Sequence, residues 1–233
     1  WSFEHVLSNG TAFDNSTYKN NGVMINFTTN TTSDGKYGDS LDFDGYNDSV
    51  SLPNDTMTSG KSEITLEMWV YPDEWVSTNT IWDECYDNNW WQFSIRSDGW
   101  YTRDTTNGIT GTRDNDLSMP TLQTGEWHHL VFVYSVSQNL KAIYWNGTLY
   151  SSTSTSIDTL TSERDIAAIG YACDGTNFDG KIDEVRLHNR VLKPEEINAS
   201  YNNGIYRLKN NFTNLEDGYY EYTAWAIDEI GNI

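Results

Sequence analysis

The sequence predicts an all-β, antiparallel, two-layered protein, and three observations lead there. Short runs rich in Val, Ile, Thr and aromatic residues alternate with Asp-Gly and Asn-Gly pairs, the pattern of strands joined by tight turns. Helical periodicity is scarce. The chain has 233 residues, 37% hydrophobic and 14% aromatic, enough for a large core and within the length that β-sandwiches reach as single domains.

Individual elements follow from the same pattern. In Glu63 to Tyr71 the side chains Ile64, Leu66, Met68 and Val70 fall on one face of a strand, with Glu67, Trp69 and Tyr71 opposite. Trp91, Phe93 and Ile95 likewise oppose Trp90, Gln92, Ser94 and Arg96, and Asp98-Gly99 is expected to turn the chain back into Trp100 and Tyr101. Leu140 to Trp145 runs into Asn146-Gly147, a pair that tolerates the two positive φ angles of a type I′ turn, and returns through Thr148 to Thr153. One short helix is expected from Pro194, which presets φ for a first helical position, through Glu195, Glu196 and Ile197, ending by Gly204. Past Gly204 the texture changes. Residues 215–228 form one alternating strand behind an Asp-Gly turn, and Asp217-Gly218-x-Tyr220-x-Tyr222 resembles the tyrosine-corner strand of immunoglobulin-like repeats. The expected division is a sandwich domain over 1–204 and a linker with a strand over 205–233.

Charge narrows the partners. Lys+Arg 14 against Asp+Glu 34 gives a net charge of -20, which repels nucleic-acid phosphates and anionic membrane surfaces. Apolar stretches such as Leu130 to Tyr134 fall far short of the ~20 residues that cross a bilayer. The chain opens at Trp1 with neither Met nor a basic region ahead of an apolar run, so it reads as processed or excised. Asn-x-Ser/Thr triplets stand at Asn9, Asn15, Asn26, Asn30, Asn47, Asn54, Asn146, Asn198 and Asn211. With two cysteines, Cys85 and Cys173, they point to an extracellular or cell-surface glycoprotein.

Several strings, in order, are similar to one family. They are Trp1-Ser-Phe-Glu4, Tyr37 to Gly45, Asp48 to Leu52, Ile64 to Pro72, Gly125-Glu-Trp-His-His-Leu-Val131, Tyr144-Trp-Asn-Gly147, Phe178 to Leu187, and Leu192-Lys-Pro-Glu-Glu-Ile197. Together they resemble the laminin-G-like and pentraxin-like branch of the concanavalin A-type jelly rolls, over about residues 1–204. The resemblance implies two antiparallel sheets stacked face to face, one short C-terminal helix, and residues 1–4 lying close to 182–187. It also implies that the Cys85 and Cys173 loops share one end of the sandwich and hold calcium through Asp87, Asn88 or Asn89, and Asp174, oxygen donors of the kind calcium takes. Tyr171 and Ala172 stand where the family has acidic or amide residues. If the loops meet, Cys85 and Cys173 form a disulfide; two buried free thiols are the alternative.

Flat rings beside hydrogen-bonding groups suit sugars, and Trp90, Trp100, Tyr101 and Arg96 are the expected ligand contacts, with core packing the competing role. A further acidic group, Glu4, Asp14, Asp183 and Glu184, is a candidate for a structural ion where the first and last strands pair. His128 and His129 point to opposite faces of a strand and cannot chelate one ion together. Jelly-roll glycosidases carry a Glu-x-Asp-x-x-Glu strand; Glu63 and Glu67 have Thr65 between them, and no enzyme is expected. The expected function is recognition of a glycan or glycoprotein. The alternative is a glycosylated structural subunit of a surface layer, stalk or filament, contacting neighbouring copies of itself; a glycosidase is a third, weaker reading.

Overall fold

The computed structural model describes residues 1–4, 10–27, 32–53, 58, 60–76, 79–86, 90–102, 115–154, 157, 159–160, 166–173 and 175–203. In chain order the strands begin with β1 (Thr11–Ala12), β2 (Gly22–Ile25), β3 (Thr32–Asp34), β4 (Asp39–Asp44) and β5 (Ser49–Ser51). The long β6 (Glu63–Pro72) leads into β7 (Thr80–Tyr86), β8 (Trp90–Arg96), β9 (Gly99–Thr102) and β10 (Asn115–Leu117). They are followed by β11 (His128–Ser135), β12 (Leu140–Trp145), β13 (Thr148–Thr153), β14 (Ile166–Ile169), β15 (Asp179–His188) and the helix α1 (Pro194–Asn203). Among the described residues these make two antiparallel sheets, β1-β2-β5-β14-β7-β8-β9-β10 and β13-β12-β11-β6-β15-β4-β3. This is the jelly-roll sandwich that the sequence implied. The expected strand over 215–228 lies outside the described residues.

Both expected hairpins form. Asn146 (φ 50°) and Gly147 (φ 77°) make the two-residue connection between β12 and β13. In the β8–β9 hairpin Arg96 pairs with Gly99, so the turn residues are Ser97 and Asp98, one position earlier than the sequence implied. Gly99 opens the returning strand.

The central strand β6 is buried on both faces. Ile64, Leu66, Met68 and Val70 enter the core between the sheets with Leu130, Phe132 and Tyr134 of β11 and Phe93, Ile95 and Trp100 of the hairpin. On the other face Thr65, Glu67 and Trp69 are buried as well, beside α1. Thr65 Oγ1 accepts the N–H of Leu192 at 3.0 Å and donates to the Arg190 carbonyl at 2.9 Å. Ile197 and Leu192 pack on Val131, Val133, Ala142 and Tyr144. Glu67 Oε1 accepts from Arg186 Nη1 at 3.0 Å and from Ser200 Oγ, and lies 3.5 Å from His129 Nε2. Burial pushes the Glu67 pKa up, but the close approach of His129, the Ser200 hydrogen bond and the Arg186 charge outweigh it and hold it at about 2.

A bulge in β15 between Asp183 and Arg186 breaks the pairing with β6, and Glu184 there has φ 51°. The freed backbone meets the N-terminal segment: Val185 N donates to Trp1 O at 2.9 Å, and Trp1 N donates to Val185 O at 2.7 Å. Residues 1–4 thus lie beside 182–187, as the family resemblance implied. Asp183, fully buried at this crossing, accepts the N–H of Tyr37 at 3.0 Å. Burial, joined by the charges of Glu184 and Glu4, still raises its pKa to about 7 against that bond.

Two outcomes are expected. Gly180 has φ 130° and a Cβ placed there would stand 2.2 Å from the Tyr71 carbonyl oxygen, so Gly180→Ala should lower unfolding free energy by about 3 kcal/mol or more in urea titration. The Glu67 contribution is complete above its unfolded value of 4.5 and drains as pH falls toward about 2. Asp183 runs the other way, its contribution complete below 3.8 and lost as pH rises through about 7. Glu67→Gln should therefore be less stable at pH 7 and show a flatter stability profile between pH 4.5 and 2; an unchanged acid slope would refute the assignment.

Candidate functional site

The rim marked by the two cysteines does form. Cys85, fully buried near the end of β7, is bonded to Cys173 with the Cα atoms 6.5 Å apart, across 88 residues. Two further contacts pin the Cys173 turn onto the sheet and a third closes the turn on itself. Cys173 N donates to Asp83 Oδ2 at 3.1 Å, Thr176 Oγ1 meets Thr80 Oγ1 at 2.8 Å, and Gly175 N donates to the Ala172 carbonyl at 2.9 Å. Among the described residues Asp83, Cys85 and Cys173 are the one group of three metal-ligating types whose donor atoms lie within 4.8 Å of one another. Both sulfurs are used in the disulfide, so neither is a thiolate ligand. The calcium ligands expected from sequence, Asp87, Asn88, Asn89 and Asp174, lie outside the described residues, as does the side chain of Trp90.

The other expected ligand contacts are corrected by burial. Trp100 is 1% exposed, packed edge-on against Phe93 and Phe132 at centroid distances of 5.7 and 5.5 Å. Tyr101 and Arg96 are also buried, at 6% and 4% exposure, and Arg96 Nε donates to Ser94 Oγ at 3.1 Å. Among its described side chains the β8–β9 hairpin is closed on both faces: Phe93, Ile95 and Trp100 fill the core, while Ser94, Arg96 and the neighbouring Asp83 are buried on the opposite side. A strand pattern with one polar face reads as half-exposed, and here that polar face is covered.

An accessible concavity lies elsewhere, at the seam of the N-terminal segment and the last strand. A cavity of about 560 Å³ opens between Trp1, the 14–20 loop, Lys61, Ile64 and the end of β15 from Glu184 to Asn189. Asp14 builds that loop. Its Oδ1 accepts Ser16 N at 2.8 Å, and its Oδ2 accepts Ser16 Oγ at 2.7 Å and Asn20 N at 2.8 Å. Burial raises the Asp14 pKa, but these donors prevail and lower it below the ordinary carboxylate value. Trp1 Nε1 donates to the Asn20 carbonyl at 2.9 Å, and Tyr18 stands at the mouth, 74% exposed. Arg186 pairs with both Glu67 and Glu184. Burial lowers the pKa of His188, which also lines the cavity.

Three of the four carboxylates expected to hold a structural ion here make contacts within the protein. Asp14 organises its loop, Asp183 accepts the N–H groups of Tyr37 and Glu184, and Glu184 faces Arg186. His128 and His129 are buried, as adjacent strand positions on opposite faces imply. Of the described sequon asparagines, Asn15, Asn26 and Asn198 are exposed, while Asn47 and Asn146 are half-buried. Asn9, Asn30, Asn54 and Asn211 lie outside the described residues. No described helix is long and apolar enough to cross a membrane.

The strand order, the sealed sheet faces and the short helix have a counterpart among known families. The profile of the concanavalin A-like lectin/glucanases superfamily matches residues 44–198. The chain belongs to this superfamily. No curated protein matches it. Among solved structures, domain 4 of AbnA, a GH43 extracellular arabinanase from Geobacillus stearothermophilus in complex with arabinotriose, is 23% identical with a TM-score of 0.58, covering 82% of this chain and 84% of that one. The binding domain of Paraclostridial Mosquitocidal Protein 1 is 16% identical with a TM-score of 0.60, over 83% of this chain and 50% of that one. The receptor binding domain of botulinum neurotoxin mosaic serotype C/D is 19% identical with a TM-score of 0.58, over 84% and 49%. This superfamily member thus spans about half the length of those two binding-domain chains, and the likenesses establish its fold.

A disulfide closing this separation is expected to contribute roughly 4–5 kcal/mol. Denaturant unfolding with and without dithiothreitol, or of Cys173→Ser, should show a loss of that size. Free thiols titrating in the denatured, unreduced protein would contradict the bridge.

Proposed function

We propose that this chain is an extracellular recognition module that binds a glycan or glycoprotein and does not turn it over. The observation that carries the distinction between binding and turnover is the position of Glu67. Glycosidic cleavage needs two carboxyl groups flanking the scissile bond, one of them able to carry a proton near neutral pH. Glu67 is 2% exposed and tied to Arg186 and Ser200, with a pKa of about 2. It has no path to a substrate and no proton to give. Glu63 accepts the N–H of Ser137 at 2.9 Å, which leaves the pair without an acid.

Membership of a lectin/glucanase superfamily supports a sugar as the ligand, and the AbnA domain that shares the fold was solved with arabinotriose. The disulfide and the sequons support an extracellular setting. Calcium belongs to the same reading on the chemistry of Asp87, Asn88, Asn89 and Asp174, whose hard oxygens suit it. A second reading, a structural subunit of a surface assembly, is favoured by the outer strand β13, where Leu149 and Tyr150 are 55% and 46% exposed.

A glycan array probed with the purified chain, with and without EDTA, tests both. The expected result is retention on at least one glycan class with no release of reducing ends over hours, and a weaker signal in EDTA where calcium takes part. Absence of any glycan binding together with concentration-dependent filaments in light scattering would replace recognition by the structural reading.

A further inference from the structure

Resting on the glycan reading above, we infer that the ligand seat is the seam cavity between the Asp14 loop and the end of β15, and that it takes a neutral sugar of about one to three residues. The cavity's volume of about 560 Å³ lies within the range of small-ligand pockets. The hairpin positions that the sequence offered for this role are closed, with Trp100, Tyr101 and Arg96 each at 6% exposure or less.

The lining has the chemistry of a sugar site. The Tyr18 ring, 74% exposed, is free to lie against the C–H face of a pyranose or furanose, a contact made by flat rings with an apolar body and a polar tip. Trp1 is half-buried and its indole N–H is fixed by Asn20, so the wall opposite is rigid. His188, half-buried, adds an imidazole to the same wall.

Charge selects the class of sugar. The ionic groups of the wall are satisfied within the protein: Arg186 by Glu67 and Glu184, and Asp14 by Ser16 and Asn20. Lys61 is an exposed cation at the edge, set in a chain of net charge -20. That field disfavours sialic or uronic acids and leaves hydroxyl and amide hydrogen bonding as the mode of recognition.

The test is an array of neutral and of sialylated or uronic-acid oligosaccharides, probed with the full chain, Tyr18→Ala, Asn189→Ala and the distant control Tyr150→Ala. Tyr18, Asn189 and Tyr150 are exposed, so the variants should fold. Binding to neutral oligosaccharides that falls at least tenfold in Tyr18→Ala and is unchanged in Tyr150→Ala is the expected result. Wild-type glycan binding retained in both Tyr18→Ala and Asn189→Ala would move the site elsewhere while leaving glycan recognition intact. Preference for the acidic oligosaccharides would overturn the neutral class. A wild-type chain that binds no glycan on the array would remove the glycan reading and this inference together.

Discussion

The structure depends on a single strand having no exposed face. β6 pairs with β11 on one side and β15 on the other, so its backbone is closed laterally. Ile64, Leu66, Met68 and Val70 are sealed between the sheets, and Thr65, Glu67 and Trp69 are sealed on the opposite face. A strand buried on both sides must satisfy every polar group it carries from within the protein. That requirement explains the position of α1. Thr65 ties the entry to the helix by bonding Leu192 and Arg190, and Glu67 ties its body through Ser200. The helix, whose sequence alone gives a weak amphipathic signal, is thus placed by hydrogen-bonding demand as much as by Ile197 and Leu192.

The two regions considered for function are closed in different ways. The rim is held covalently by Cys85 and Cys173, with Asp83 and Thr80 adding polar contacts beneath the same turn. The seam is held by a bulge, since Glu184 steps out of register and lets Val185 bond Trp1 in both directions. A bulge bends its strand and turns side chains away from the sheet. The bend sets Arg186 and His188 around a hollow that Trp1 and the Asp14 loop also line.

Much of this architecture was legible. The alternation in β6, the β12–β13 hairpin at Asn146-Gly147 and the helix from Pro194 each follow from local pattern, because period and turn chemistry are local properties. The meeting of residues 1–4 with 182–187, and of Cys85 with Cys173, followed only from the family resemblance, since contacts so distant in sequence leave no local trace. What failed was exposure. Trp90 to Tyr101 alternates as a half-exposed hairpin should, and nothing in the alternation of Ser94 and Arg96 tells that their face is covered. Tyr18 gave no signal either: it lies in a short polar stretch, Asn15-Ser-Thr-Tyr18-Lys-Asn, that reads as an ordinary loop. Its prominence comes from Asp14 gathering Ser16 and Asn20 around one carboxylate, a turn geometry open to any loop Asp and therefore no marker of a site.

A sandwich with both sheet faces covered near its central strands leaves binding to its connections, which is where variable chemistry is tolerated. The seam differs from a free loop in one respect. Its walls come from Trp1, the 14–20 loop, Lys61, Ile64 and the end of β15, segments separated by more than a hundred residues and held together only by the completed fold. The Trp1–Val185 bonds span 184 residues. Its β15 wall cannot move without breaking strand pairing, so that side keeps its shape as long as the sandwich does. A site of that kind binds with little reorganisation, which is where weak, hydroxyl-directed recognition gains most, because each hydrogen bond to a sugar replaces one to water and the net advantage is small. On the proposed reading, the net negative charge of the chain then acts by excluding competitors, turning away anions that the hydrogen-bonding groups of the cavity would otherwise accept.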